Sequence, residues 1–285
     1  MTDPHSAPAQ TLPPLTDASF FVSDDSMPAQ VLDVSSTALT AGPWSSSTQH
    51  GGPPSALLAA AFEAHARELK MSIARITVEL PSPVPVGPLT VHSAVTRAGS
   101  KTAILDGHIQ AGDKIVMRAR ARALHHTPHE TPAINHERAL PPLPITVQGG
   151  PAMRGAHPHG YLAAMEWRFP HPDGSFDELG PGQVWARQRV PLLNQRPDSC
   201  LTRVLVLADS NWAAAFELDH HSHLIVNIDL TVTMVRESRS EWLALDSRTL
   251  ASPNGFAAAA GVIHDDHGPV AIVNQTLLIA PRQTG

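Results

Sequence analysis

Ala59-Ala60-Ala61-Phe62-Glu63 recurs unchanged as Ala213-Ala214-Ala215-Phe216-Glu217, an offset of 154 residues. The same offset pairs Thr77-Val78 with Thr231-Val232. It then pairs Leu89 with Leu243, Gly107 with Gly261, Ile109 with Ile263, Val116 with Val270 and Leu124 with Leu278. From Pro53 to Leu124 it gives 14 identities in 72 positions without a gap. Alanine is common, so the pentapeptide alone says little. Agreement in one register over that span marks a tandem duplication, the feature to settle before any fold is assigned.

Both copies carry the same order of patterns. In the first, Gly52 to Leu69 has helical spacing, with Leu57, Leu58, Ala61, Phe62, His65 and Leu69 on one stripe. Pro53 and Pro54 suit the first turn, where a missing N–H breaks no bond. Four strand-like runs follow at Ile73–Leu80, Leu89–Thr96, Thr102–Gln110 and Ile115–Leu124, separated by Pro- and Gly-containing turns. The second copy reads as a helix over Leu201–Glu217 and strands over Leu224–Val235, Trp242–Leu250, Gly255–His264 and Val270–Ile279. Pro253-Asn254-Gly255 and Asp265-Asp266-His267-Gly268 are hairpin turns. Earlier β-like runs sit at Gln30–Leu39, Ala164–Phe169 and Gln183–Val190. One long helix and an antiparallel meander in each copy predict an α+β fold, each helix on one face of its sheet.

The organisation expected is an N-terminal domain over 1–124, its first 17 residues flexible, a linker over 125–160 and a C-terminal domain over 161–285. The linker holds seven prolines and six histidines and reads as a surface crossover.

The 285 residues are 42% hydrophobic, enough for sizeable cores. Only 16% are charged, and the net charge of −6 with no basic stripe speaks against nucleic acid as a partner. A single cysteine, Cys200, excludes an internal disulfide and any multi-cysteine metal site. No apolar run reaches the roughly 18 residues of a membrane span. Met1–Gln10 is polar and Pro-rich and does not read as a signal peptide, so a soluble cytoplasmic protein is expected.

The duplicated helix-and-sheet grammar resembles the double-hotdog fold. Gln49-His50-Gly51-Gly52-Pro53-Pro54 with Ala56-Leu57-Leu58-Ala59, and Arg75-Ile76-Thr77-Val78-Glu79-Leu80 with Pro83-Val84-Pro85, resemble the thioesterase-like superfamily. In the second half, Leu207-Ala208-Asp209-Ser210-Asn211, Asn227-Ile228-Asp229-Leu230-Thr231-Val232 and Asn274-Gln275-Thr276 resemble acyl-CoA thioesterase II. The resemblance covers roughly Phe20 to Ile279. It implies hydrolysis of an acyl-CoA or acyl carrier protein thioester at the meeting of two helices, with the acyl chain in an apolar tunnel and without cofactor or metal.

Thioester hydrolysis needs a positioned water, a group that orients or deprotonates it, and N–H donors at the oxygen that becomes negative. The resemblance implies Asp209, Asn227 and Gln275 as the catalytic set. Asp209 would take or orient the water proton, Gln275 would hold the water, and Asn227 stands where the family has a threonine. An amide both donates and accepts, so it also can hold a water. The 154 offset maps these three onto Ser55, Ile73 and Ala121, so the first copy lacks the polar set and one live site is expected. Read singly, Asp209 is also a candidate helix cap, Asn227 a strand-end amide and Gln275 an exposed strand residue.

His50, Gly51 and Gly52 are candidates to bind substrate, because helix-start N–H groups and glycines admit a carbonyl oxygen or phosphate; a glycine-rich turn that merely starts the helix accounts for them equally. Trp212 is a candidate tunnel wall, although core packing accounts for it better. His50 would suit general-base work if paired with an acid, but Glu63 lies 13 residues on, too deep in the helix. There is no G-x-S-x-G and no H-E-x-x-H; His129-Glu130 and His136-Glu137 fall in the linker. His220-His221-Ser222-His223 reads as a loop rather than a metal clip, and Cys200 as a small buried group. Two further functions stay open: a hotdog enoyl-CoA hydratase or dehydratase, which needs a His and an acid together, and a non-catalytic acyl-thioester binder. A homo-dimer or tetramer is expected.

Overall fold

The duplication is written into the hydrogen bonds of the computed structural model, which describes residues 12–13, 15–16, 18–24, 27, 29–125, 134–145, 153–157, 159–171, 173–194, 196–219 and 222–282. The first half contains strands β1 (Phe21–Val22), β2 (Val31–Ser36), β3 (Ala41–Gly42) and β4 (Ser45–Gln49). Helix α1 (Gly52–Glu68) and strands β5 (Met71–Glu79), β6 (Pro88–Ala98), β7 (Thr102–Ala111) and β8 (Lys114–His125) follow. The second half contains α2 (Tyr161–Ala164), β9 (Met165–Arg168), β10 (Gly182–Gln188) and α3 (Cys200–Ala208). It ends with β11 (His223–Asn227), β12 (Asp229–Met234), β13 (Leu243–Ala251), β14 (Phe256–Asp265) and β15 (Gly268–Pro281).

Among the described residues one thirteen-stranded sheet runs β1-β2-β6-β7-β8-β5-β12-β15-β14-β13-β10-β9, with β11 also on β15; β3 and β4 form a separate pair. The order is the same read inward from either edge, and the halves join between β5 and β12. There Thr77 lies opposite Thr231, their hydroxyls 3.1 Å apart. These two residues, related by the repeat, mark the pseudo-twofold axis.

Alternation decides which face is buried. β2 and the middle of β8 alternate strictly between exposed and buried residues, as antiparallel strands with one solvated face do. The buried face closes on two helices. α1 was expected to show one apolar stripe; instead nearly all of it is buried, including Ala56, Ala59, Ala61 and Ala64. Small side chains let the sheet and α3 approach it on opposite sides, which is how a helix comes to be apolar all round.

The second helix differs from its expected span of Leu201–Glu217. It is capped by Ser199, whose hydroxyl accepts the N–H of Thr202, and it ends at Ala208. Asp209, Ser210 and Asn211 stop it because their side chains bond elsewhere. Ser210 meets Tyr161, Asn211 accepts from Ser247, and Asp209 is held as described below. The repeated alanines fall in a 3₁₀ turn, Ala213–Ala215. The run Leu224–Val235 is likewise not one strand. It breaks at Ile228 into β11, whose Asn227 faces Leu277, and β12, whose Thr231 faces Asn274.

Described residues 134–145 carry no helix or strand and cross the second half. Pro144 and Pro141 carbonyls accept from Arg168 and from the Trp185 indole, and Arg138 pairs with Asp246. His129-Glu130, His220 and His221 lie outside the described residues. No helix among those described is long and apolar enough to cross a membrane.

Candidate active site

α1 and α3 run antiparallel, so the start of α1 meets the end of α3. The contact requires glycine. A Cβ on Gly52 would lie 2.3 Å from the Val206 carbonyl oxygen, and one on Gly51 would lie 2.8 Å from Asp209 Oδ2. A side chain at Gly52 would push the helices apart, and one at Gly51 would displace the Asp209 carboxylate.

The broken α3 terminus, the strand break at Ile228 and β15 bring the three candidate catalytic residues together. Asp209 Oδ1 accepts from Asn227 Nδ2 at 2.5 Å and from Gln275 Nε2 at 3.1 Å. Gln275 is buried, and its amide orientation is fixed because its Oε1 accepts the backbone N–H of Trp212 at 3.0 Å. Asn227 Oδ1 is buried and has no partner among the described residues. Asp209 Oδ2 points toward His50, 3.3 Å from Nδ1. Asp209 follows the last residue of α3, so it is not the N-terminal cap that its residue type permits.

His50 is the neighbour that sequence separation concealed. Its Nδ1 accepts the N–H of Gly52 at 3.1 Å, which leaves the ring proton on Nε2. Burial holds its pKa below the ordinary 6.5, with Asp209 pulling the other way, so the ring is neutral at pH 7. It stacks face to face on Tyr161, ring centres 3.7 Å apart. Tyr161 is the chain's only tyrosine, and its hydroxyl donates to the Val206 carbonyl and meets Ser210 at 3.0 Å. Burial pushes its phenol far above the usual range, so it remains a neutral donor. The sequence offered no signal for Tyr161 beyond its singularity.

These groups open on a cavity of about 520 Å³, lined by His50, Gly51, Asp209, Trp212 and Asn227. Its remaining walls are largely apolar, among them Trp44, Leu80, Met153, Leu162, Phe176 and Ile228. A cavity of this size, with convergent polar groups at one point, is the usual form of a small-molecule site. Trp212 lines it and is also packed into the core. Gly52 and Gln275 stand behind the wall. His223 and Arg282 also line it, and the His223 ring meets the Ser222 hydroxyl.

Two other groups lie apart from this site. Cys200 is buried, and its thiol pKa is raised by that burial, so it is a poor nucleophile. Asp265, Asp266 and His267 cluster at the β14–β15 turn, where Asp265 is already engaged by Arg236 and Ser238.

Two antiparallel helices enclosed by a duplicated sheet, with a cavity where they meet, define a double-hotdog protein. Models of the acyl-CoA thioesterase N-terminal domain and C-terminal domain match residues 40–124 and 139–279. The chain belongs to the acyl-CoA thioesterase family. Solved structures agree on the fold. Acyl-CoA thioesterase II TesB2 from Mycobacterium marinum is 16% identical over 92% of this chain and 96% of its own, with a TM-score of 0.66. A conserved hot dog fold protein of unknown function from Alicyclobacillus acidocaldarius is 16% identical over 90% and 95%, with a TM-score of 0.69. The tesB protein of Mycobacterium avium subs paratuberculosis is 16% identical over 88% and 93%, with a TM-score of 0.61. A search of curated proteins finds no match.

Proposed function

We propose that the chain hydrolyses an acyl-CoA thioester to a free carboxylic acid and coenzyme A at Asp209. The observation that carries this reading is the arrangement around that carboxylate. Asn227 and Gln275 occupy Oδ1, so Oδ2 is the oxygen left to receive a proton. Asn227 Oδ1, next to it, is buried and has no hydrogen-bond partner among the described residues. A water held at Asp209 Oδ2 faces an acyl carbon seated in the apolar cavity. His50 Nε2–H meets the carbonyl oxygen as it becomes negative. The water oxygen bonds to the acyl carbon, its proton passes to Asp209, the C–S bond breaks, and the leaving thiolate takes the proton.

A second reading has one observation behind it. The sequence separated His50 from any acid, whereas the fold sets it 3.3 Å from Asp209, and a His beside an acid is what enoyl-CoA hydration uses. Against it, Nδ1 is committed to the Gly52 N–H and Nε2 carries the proton, so the ring is a donor rather than a base. The experiment that separates the readings follows free thiol and double-bond absorbance in parallel, with saturated and enoyl-CoA substrates. Thiol release from saturated acyl-CoAs supports hydrolysis. Loss of enoyl absorbance without thiol supports hydration.

A further inference from the structure

The offset of 154 that aligns the strands does not align the helices. α1 begins at Gly52 and α3 at Cys200, 148 residues apart. By that count the helical counterpart of Asp209 is Ala61 rather than Ser55, and Glu63 lies two residues beyond it. Because the helices are antiparallel, each N-terminal cap faces a carboxylate from the other helix. Gly51 faces Asp209. Ser199 faces Glu63, donating its hydroxyl to Oε2 at 2.6 Å. Each pair also borders a cavity. The second is about 200 Å³ and is lined by Glu63, Ser199 and Arg67, with Ala60, Ala64 and Leu193 among its apolar walls. Glu63 is half-buried, and its desolvation raises its carboxyl pKa despite the Ser199 hydrogen bond and the nearby Arg67 charge. A carboxyl lifted in this way is a better proton acceptor from water than an exposed one.

We propose that this second cavity is a second thioester site, in which Glu63 receives the water proton and the acyl group is short. The inference rests on the hydrolytic reading of the Asp209 site, of which it is the pseudo-symmetric partner. The smaller volume, less than half that of the first cavity, sets the size of acyl group. The step is the same. The water oxygen bonds to the acyl carbon while its proton moves to Glu63. The C–S bond then breaks and the thiolate takes that proton. Arg67, on the cavity wall, supplies positive charge for the carbonyl oxygen.

Two measurements test it. The first is thiol release from acetyl-CoA and butyryl-CoA by Asp209→Asn and by Asp209→Asn combined with Glu63→Gln. The second is calorimetric counting of acetonyl-CoA, a stable acetyl-CoA analogue, on the full chain, on Glu63→Gln and on Ala60→Leu, which fills the cavity. The proposal expects residual short-chain release in Asp209→Asn that falls at least tenfold with Glu63→Gln. It also expects two analogue molecules per chain, falling to one in Ala60→Leu. One molecule per chain in the unaltered protein, or residual release indifferent to Glu63→Gln, overturns it. Absence of thiol release from every substrate by the unaltered chain sinks the hydrolytic reading of Asp209, and with it the hydrolytic role of Glu63. The analogue count then decides whether the second cavity binds a thioester at all.

Discussion

In the proposed mechanism Asn227 is the residue on which this site departs from the pattern it resembles. Where that pattern has a threonine, this chain has an amide that gives one hydrogen bond to Asp209 and has a buried oxygen without a partner among the described residues. Asn227→Ala removes both functions. Losing a hydrogen bond to a charged group costs about 1.5–3 kcal/mol, so kcat should fall roughly 10- to 150-fold. Asn227→Thr keeps a donor and an acceptor and should retain most turnover. Steady-state thiol release with both variants checks this. A fall in Asn227→Ala confined to KM would show a binding role only. The three polar residues were legible in the sequence, because each sits in a short stretch that resembles the family. His50 beside Asp209 was not legible, since 159 residues separate them and only the antiparallel helices bring them together. Tyr161 was equally hidden, because it acts through a stacked ring and a carbonyl, neither of which leaves a pattern.

At the scale of elements, the strands were readable and the second helix was not. β6, β7 and β8 and their repeats β13, β14 and β15 follow the turns that Gly, Pro, Asn and Asp mark. The alanine pentapeptide extended the helical pattern past Asp209-Ser210-Asn211. Those three side chains instead find partners in Tyr161, Ser247, Asn227 and Gln275, and the helix stops where the site begins. The helix–helix contact makes a prediction of its own. A Cβ at Gly52 would lie 2.3 Å from a backbone oxygen that no side-chain rotation can move. Gly52→Ala should therefore lower stability by about 1–3 kcal/mol, as overpacking does. It should also lower activity, because the same shift separates His50 from Asp209. Chemical denaturation measures the first effect and thiol release the second. An unchanged midpoint would show that α1 and α3 can part without cost.

Across the whole molecule, the duplication puts two helix junctions in one chain, and the two differ. The Asp209 junction has an amide network and a large apolar cavity; the Glu63 junction has a serine, arginines and a small one. Buried histidine gives the folded chain a pH signature. Burial lowers His50 below the 6.5 of an unfolded chain, so at acid pH the unfolded state binds the proton first. That contribution is full above pH 6.5 and is lost as pH falls, since stability rises with pH wherever the unfolded state holds more protons. His108 and His264 are lowered likewise, whereas Glu63 and Asp198, raised by burial, act in the opposite sense. Comparison with His50→Asn, which does not titrate, isolates the first term. The stability of the unaltered chain relative to that variant should fall between pH 7.5 and 5.5. A difference independent of pH would mean that His50 titrates alike in both states.

The central claim is that Asp209 handles the proton of the attacking water, and thiol release tests it most directly. Acyl-CoAs from acetyl to palmitoyl, with a few aromatic ones, would be run against the unaltered chain and Asp209→Ala. Removing a group that accepts or orients the proton should lower the rate on the order of 10²- to 10⁴-fold for the acyl chains the main cavity holds. Turnover of those chains that survives Asp209→Ala unchanged would contradict the account and move the chemistry to another part of the molecule.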